Sequence, residues 1–114
     1  MEIAEKDKAI GVMDSGVGGL TVLKQLLNVM PSENYLYFGD TKNLPYGEKT
    51  KEQLIEIVKE IFAFFEKQNV KAVVLACNTT SATAYEELKD KYSFKIYPLI
   101  QTVSFLIKAL IESG

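Results

Sequence analysis

The stretch Ala72-Val73-Val74-Leu75-Ala76-Cys77-Asn78-Thr79-Thr80-Ser81 decides the fold. Its first five residues are uniformly apolar, small or β-branched, and do not alternate with polar ones. That pattern marks a parallel strand covered on both faces, the most deeply buried element expected in the chain. The polar run that follows marks the turn from that strand into a helix capped by Thr79 or Thr80. Cys77 stands at the junction.

Two more strand signals precede this one. Residues Ala9 to Met13 form a short apolar run ending at Asp14, and Tyr35 to Phe38 form another ending at Gly39 and Asp40. Between them Gly18 and Gly19 open a helical pattern, with Leu20, Leu23, Leu26, Leu27 and Met30 at spacings of three and four, closed by Pro31. Thr41 to Gly47 contains Asn43, Pro45 and Gly47 without periodicity and reads as a loop. Thr50 and Gln53 have capping-box spacing, and Leu54, Ile57, Val58, Ile61, Phe62 and Phe65 mark one broad apolar helix face running to about Gln68. Asn69 suits the left-handed position after it.

Downstream, Ala84, Tyr85 and Leu88 continue the third helix, and Phe94 to Tyr97 supply a fourth strand. Thr102 is positioned to cap a last helix carrying Val103, Leu106, Ile107, Leu110 and Ile111, with Gly114 in a C-terminal cap position. The order β-α-β-α-β-α-β-α predicts an α/β fold: three layers, a mostly parallel sheet flanked by helices on both faces.

Composition narrows the function classes. A chain of 114 residues supports one core, and 47% hydrophobic with 25% charged residues is ordinary for a folded domain. The net charge of -2 and dispersed lysines give no nucleic-acid footprint. No signal-peptide core or membrane-length apolar run occurs, so a cytoplasmic protein without a membrane partner is expected. The single Cys excludes an internal disulfide, and the absence of His leaves no Cys/His metal site.

In an open α/β sheet, ligands bind beyond the carboxyl ends of the strands. Three polar groups fall on that edge: Asp14 to Gly19, Gly39-Asp40 through Pro45-Tyr46-Gly47, and Cys77 to Ser81. The glycines of the first loop suit a tight turn as well as a phosphate cradle, but neither the dinucleotide nor the Gly-Lys-Ser/Thr spacing is present. Asp14 is either a turn cap or, with Ser15, a ligand-binding pair, since both groups cost desolvation at a strand end unless they bind something. Asn43, Pro45 and Gly47 suit any surface turn. Tyr46 can place a hydroxyl or backbone groups against a small ligand, and Asp40 reads equally as a helix or turn cap.

Cys77 is either a small buried hydrophobe or a reactive thiol. A helix N-terminus with the amides of Asn78 to Ser81 favours thiolate, and the polar run offers more donors and acceptors than one cap needs. Neither a Cys-x5-Arg phosphatase loop nor a Cys-His pair can be built, which leaves proton transfer as the economical chemistry, with Asp14 as a neighbouring carboxylate.

At these loops the sequence resembles the glutamate racemases of the cofactor-independent aspartate/glutamate racemase superfamily. The matching residues are Ile10 to Val22, then Gly39-Asp40-Thr41 and Leu44-Pro45-Tyr46-Gly47, then Cys77-Asn78-Thr79. The resemblance implies two similar α/β domains closing on glutamate, without cofactor or metal, each contributing one catalytic cysteine. It implies Cys77 as the cysteine that takes the α-proton of D-glutamate, and Asp14 with Ser15 as substrate-binding residues that assist the thiol. Pro45, Tyr46 and Gly47 would line the substrate, and Asn78 and Thr79 would hold its amino-acid end.

The resemblance implies that residues 1–98 are the N-terminal lobe and that 99–114 are a junction helix leading toward a second domain expected to be absent from this chain. The complete enzyme would supply D-glutamate for peptidoglycan precursors, and the chain alone is expected to be a poor racemase. A homodimer facing two Cys77 thiols is the alternative source of a second base. The competing class is a non-catalytic anion- or nucleotide-binding module.

Overall fold

Strand β1, Ile10–Asp14, is the axis of the molecule, hydrogen-bonded on both sides and buried along its whole length. A computed structural model of the chain describes residues 7–15, 19–43 and 45–98. Helix α1 is Gly19–Val29, β2 Tyr35–Gly39, α2 Lys51–Lys67 and β3 Ala72–Leu75. Two short helices follow, α3 Asn78–Thr83 and α4 Tyr85–Leu88, and then β4, Lys95–Pro98. The sheet order is β2-β1-β3-β4 with every pairing parallel, which gives the expected three-layer α/β architecture. The expected last helix, with its Thr102 cap, lies outside the described residues.

Strand alternation divides the core in two. Ile10, Val12, Ala72, Val74 and Ala76 face α1, meeting Val22, Leu26 and Met30. Met13, Val73, Leu75 and Cys77 face the other way, onto Leu54, Val58, Ile61, Phe62 and Phe65 of α2 with Ala84, Leu88, Phe94 and Ile96. Because β1 and β3 are central, both faces of each are covered, which is why neither sequence alternates.

Several boundaries shift from the sequence expectation. The first strand starts at Ile10 and includes Asp14, because Ile10 donates to Asn34 O at 2.8 Å and pairing with β2 extends to Asp14↔Gly39. The fourth runs Lys95–Pro98, in register with Ala72 to Leu75. Pro98 is tolerated because β4 is an edge strand of this sheet.

The leucine stripe of α1 is also corrected. Val22, Leu26 and Met30 are buried, whereas Leu20 is 64% and Leu27 45% exposed. One helix over a flat layer buries a narrow i, i+4 row, and spacing alone did not show which of two adjacent apolar rows faced the sheet.

Helix α2 is bounded as its sequence dictates. Thr50 Oγ1 accepts from the Gln53 amide at 3.1 Å, and Gln53 Oε1 accepts from the Thr50 amide at 2.9 Å, a reciprocal capping box. At the other end Asn69 takes φ 57°, and Val70 donates to Phe65 O at 3.3 Å. That left-handed residue turns the chain directly into β3.

Candidate functional site

The carboxyl ends of β1, β2 and β3 are laced together before any side chain is considered. Asp40 donates its backbone N-H to Asp14 O, and Ala76 donates to Met13 O, both at 2.8 Å. These bonds extend the ladders past the strands and bring the three polar segments to one edge.

Asp14 lies on the α1 side of the sheet and is 1% exposed. Its Oδ2 accepts from the Tyr37 hydroxyl at 3.1 Å. Burial, followed by the charge and hydrogen bond of Asp14, raises the Tyr37 hydroxyl above the ordinary phenol value. Ser15, also buried, continues the chain past the strand. The expected glycine turn after it, residues 16–18, lies outside the described residues.

Cys77 follows Val73 and Leu75 onto the α2 side and is 8% exposed. Its backbone is extended, with φ -131° and ψ 123°, and it occupies the N-cap position of α3 itself. This corrects the expectation that Thr79 or Thr80 caps that helix: both lie within it, and no side-chain hydrogen bond caps it. Ser81 closes the turn instead, its amide donating to Cys77 O at 3.0 Å and its hydroxyl to Leu75 O at 3.3 Å. The helix is shorter than expected, breaking at Ala84 into α3 and α4. Asn78 and Thr79 form the backbone of its first turn.

Pro45, exposed and extended, leads into a 3₁₀ turn at Tyr46–Glu48 that packs against α3. Gly47 is exposed, with nothing within 4 Å of where a Cβ would stand. Tyr46 is buried in the cluster that holds Cys77, and its hydroxyl donates to Asp40 Oδ2 at 2.5 Å. The hydroxyl expected to face a ligand is thus committed to Asp40, and the turn's outer surface is made by Pro45 and Gly47. Burial raises the Tyr46 phenol far above its ordinary range, with smaller contributions from Asp40, Cys77 and Asp14. Tyr46 therefore lies within the electrostatic reach of both catalytic candidates.

Asp40, which the sequence places on the binding edge but which reads equally as a helix or turn cap, gathers more partners than a cap needs. It accepts from Asn43 Nδ2 at 2.9 and 3.1 Å as well as from Tyr46. The available signal was its place after a strand in the motif that resembles the racemases. Among the described residues no group of three or more His, Cys, Asp and Glu is placed to hold a metal. No helix among them is long and apolar enough to cross a membrane.

The arrangement offers one thiol at a strand-to-helix junction, a carboxylate and hydroxyl at the adjacent strand end, and a proline-glycine turn packed against α3. A chain with this geometry is 51% identical over 107 residues to glutamate racemase 2 of Caldanaerobacter subterraneus subsp. tengcongensis, which covers 94% of this chain and 37% of that protein. The chain belongs to the glutamate/aspartate racemase superfamily.

Its resemblance is to the N-terminal lobe of these racemases. The glutamate racemase of Thermus thermophilus, solved with β-chloro-D-alanine, superposes with a TM-score of 0.79 at 46% identity, over 84% of this chain and 37% of that one. That of Francisella tularensis, solved with D-glutamate, gives 0.78 at 36% identity, over 83% and 36%. The chain thus spans less than half the length of the racemases it matches. No family model matches it.

Proposed function

We propose that this chain supplies one proton-transfer face of a cofactor-independent glutamate racemase. The observation that carries the reading is the placement of Cys77, delivered by a buried strand beside the Tyr46 turn, with Asp14 and Ser15 on the same edge. The superfamily membership supports glutamate as the ligand, since the Francisella relative was solved with D-glutamate.

In this reading the Cys77 thiolate takes the α-proton of D-glutamate and becomes a thiol. An acid on the opposite side of the planar intermediate delivers a proton there and is left as the base for the reverse direction. Asp14 and Ser15 bind substrate and assist the thiol. Pro45, Tyr46 and Gly47 form the wall of the cleft, and Asn78 with Thr79 holds the amino-acid end, where developing carboxylate charge needs fixed donors. The reaction uses no cofactor.

The chain has one cysteine, so the opposing acid comes from elsewhere. A second lobe is the proposed source, and a second copy of this chain in a homodimer is the alternative. Without either, the thiol loses orientation and desolvation and racemisation is slow. The complete enzyme would be a cytoplasmic isomerase providing D-glutamate for peptidoglycan and hence for cell shape.

Amide shifts recorded while the chain is titrated with D-glutamate, L-glutamate, ATP and NAD test the ligand. Movement at Asp14, Tyr46 and Asn78 with glutamate supports the proposal, whereas a response to ATP or NAD alone selects the anion- or nucleotide-binding class. Starting from D-glutamate in deuterated buffer, α-deuterated L-glutamate should appear only where a second acid faces Cys77, Cys77 alone returning deuterium with retention, and Cys77→Ser should abolish both. Exchange that survives in Cys77→Ser would sink the mechanism.

A further inference from the structure

Asp40 directly follows β2 and is 5% exposed. A carboxylate at that depth is costly unless its acceptor sites are filled. Here they are filled by side chains of its own loop: Tyr46 Oη on Oδ2 at 2.5 Å, and Asn43 Nδ2 on both oxygens at 2.9 and 3.1 Å. The Tyr46 contact is in the short range of hydrogen bonds to an ionised acceptor. At its other end Asp40 is fixed to β1 through its backbone N-H, which donates to Asp14 O.

The residue is therefore a rigid link from the edge of the sheet to the turn at Tyr46. That turn in turn touches α3, and the Tyr46 ring shares a core cluster with Cys77.

We propose that Asp40 is a positioning residue: by holding the Tyr46 hydroxyl and the Asn43 amide it sets how closely the Pro45–Gly47 turn approaches Cys77, and so the width of the cleft open to an amino acid. The ligand in this statement rests on the racemase reading, while the link itself rests on the bonds above. Asparagine cannot reproduce the arrangement. It has one acceptor oxygen, and whichever way the amide lies, its NH₂ faces a donor that the carboxylate satisfied. The side chain acts through Tyr46 and Asn43, not on substrate.

The test uses the chain with Asp40→Asn, Tyr46→Phe, the double variant, and Leu26→Ala as a control that loosens the α1 core on the opposite face of the sheet from the cluster holding Tyr46 and Cys77. The first readout is the rate at which iodoacetamide alkylates Cys77 in native buffer. Asp40→Asn and Tyr46→Phe are each expected to raise it by about fivefold, with the double variant no faster than either, the signature of one coupled unit. The second readout is the affinity for D-glutamate, which should fall in parallel.

A rate in Asp40→Asn equal to that of the Leu26→Ala control at matched stability would overturn the proposal, as would effects that multiply in the double variant. Coupled alkylation in a chain that binds neither enantiomer of glutamate would support the link and overturn the racemase reading instead.

Discussion

Gly11 lies directly beneath the Phe65 ring: a Cβ on Gly11 would stand 2.9 Å from the ring's Cδ1 and Cε1. Strand β1 and helix α2 approach this closely only because residue 11 has no side chain. Phe65 is fully buried and further constrained by Phe38 and Phe64, so the ring cannot swing away. Gly11→Ala is expected to cost about 1–3 kcal/mol in denaturant unfolding. Pairing it with Phe65→Leu should recover part of that loss, and simple addition of the two penalties would contradict the contact.

The Tyr35 hydroxyl closes the end of α1, donating to Leu26 O at 3.1 Å and Met30 O at 2.9 Å. Tyr35→Phe removes that donor, leaving the two carbonyls with only the Met30 and Glu33 amides, and should cost about 1 kcal/mol. The same residue gives a pH signature. Burial first, and the charge of Glu33 second, push its phenol up from 10.0 to about 12. A raised folded value favours the protonated form. The associated stability is fully present below pH 10 and is lost as pH rises through about 12. Thermal unfolding across that window should decline less steeply in Tyr35→Phe, and an unchanged slope would count against the assignment.

Thr80 is 0% exposed, and its Oγ1 has no hydrogen-bond partner among the described residues. A buried hydroxyl left this way carries its desolvation cost without return. Thr80→Val keeps the shape and removes the hydroxyl, and is expected to be neutral or to stabilise by up to about 1 kcal/mol. Thr80→Ser keeps the hydroxyl, deletes a methyl and should destabilise. The reverse order in chemical denaturation would show that the hydroxyl is satisfied.

Gly47 separates folding from binding. It is exposed and a Cβ there meets nothing, so Gly47→Ala should change stability by less than about 0.5 kcal/mol. If the turn forms the wall of the glutamate cleft, the same methyl narrows it. Calorimetry should then show weaker D-glutamate binding with an unaltered melting temperature. Equal binding by both proteins would remove Gly47 from the site.

Much of this was readable from local pattern. The Thr50/Gln53 box, the left-handed Asn69 and the unalternating Ala72 to Leu75 each depend on a few neighbouring residues, so they appear where sequence placed them. The convergence of Asp14, the Tyr46 turn and Cys77 also followed, because strand ends in a parallel sheet share one edge. Less legible was everything set by a partner distant in sequence. Leu20 and Val22 are equally apolar, and only the position of α1 over Ile10 and Val12 decides that Val22 is buried. Thr79 and Thr80 are better capping residues than Cys77, yet the chain leaves β3 still extended through Cys77 and helix begins at once.

The sequence by itself determined the order of strands and helices, the three loops that meet at one edge, and the single thiol among them. Hydrophobic period and capping chemistry are local and need no knowledge of the rest of the chain. Only the tertiary structure decided that Asp14 and Cys77 reach that edge from opposite faces of the sheet, and that Tyr46 turns inward to Asp40. Those outcomes depend on strand register and on the desolvation of buried polar groups, which exist only once the elements are packed together.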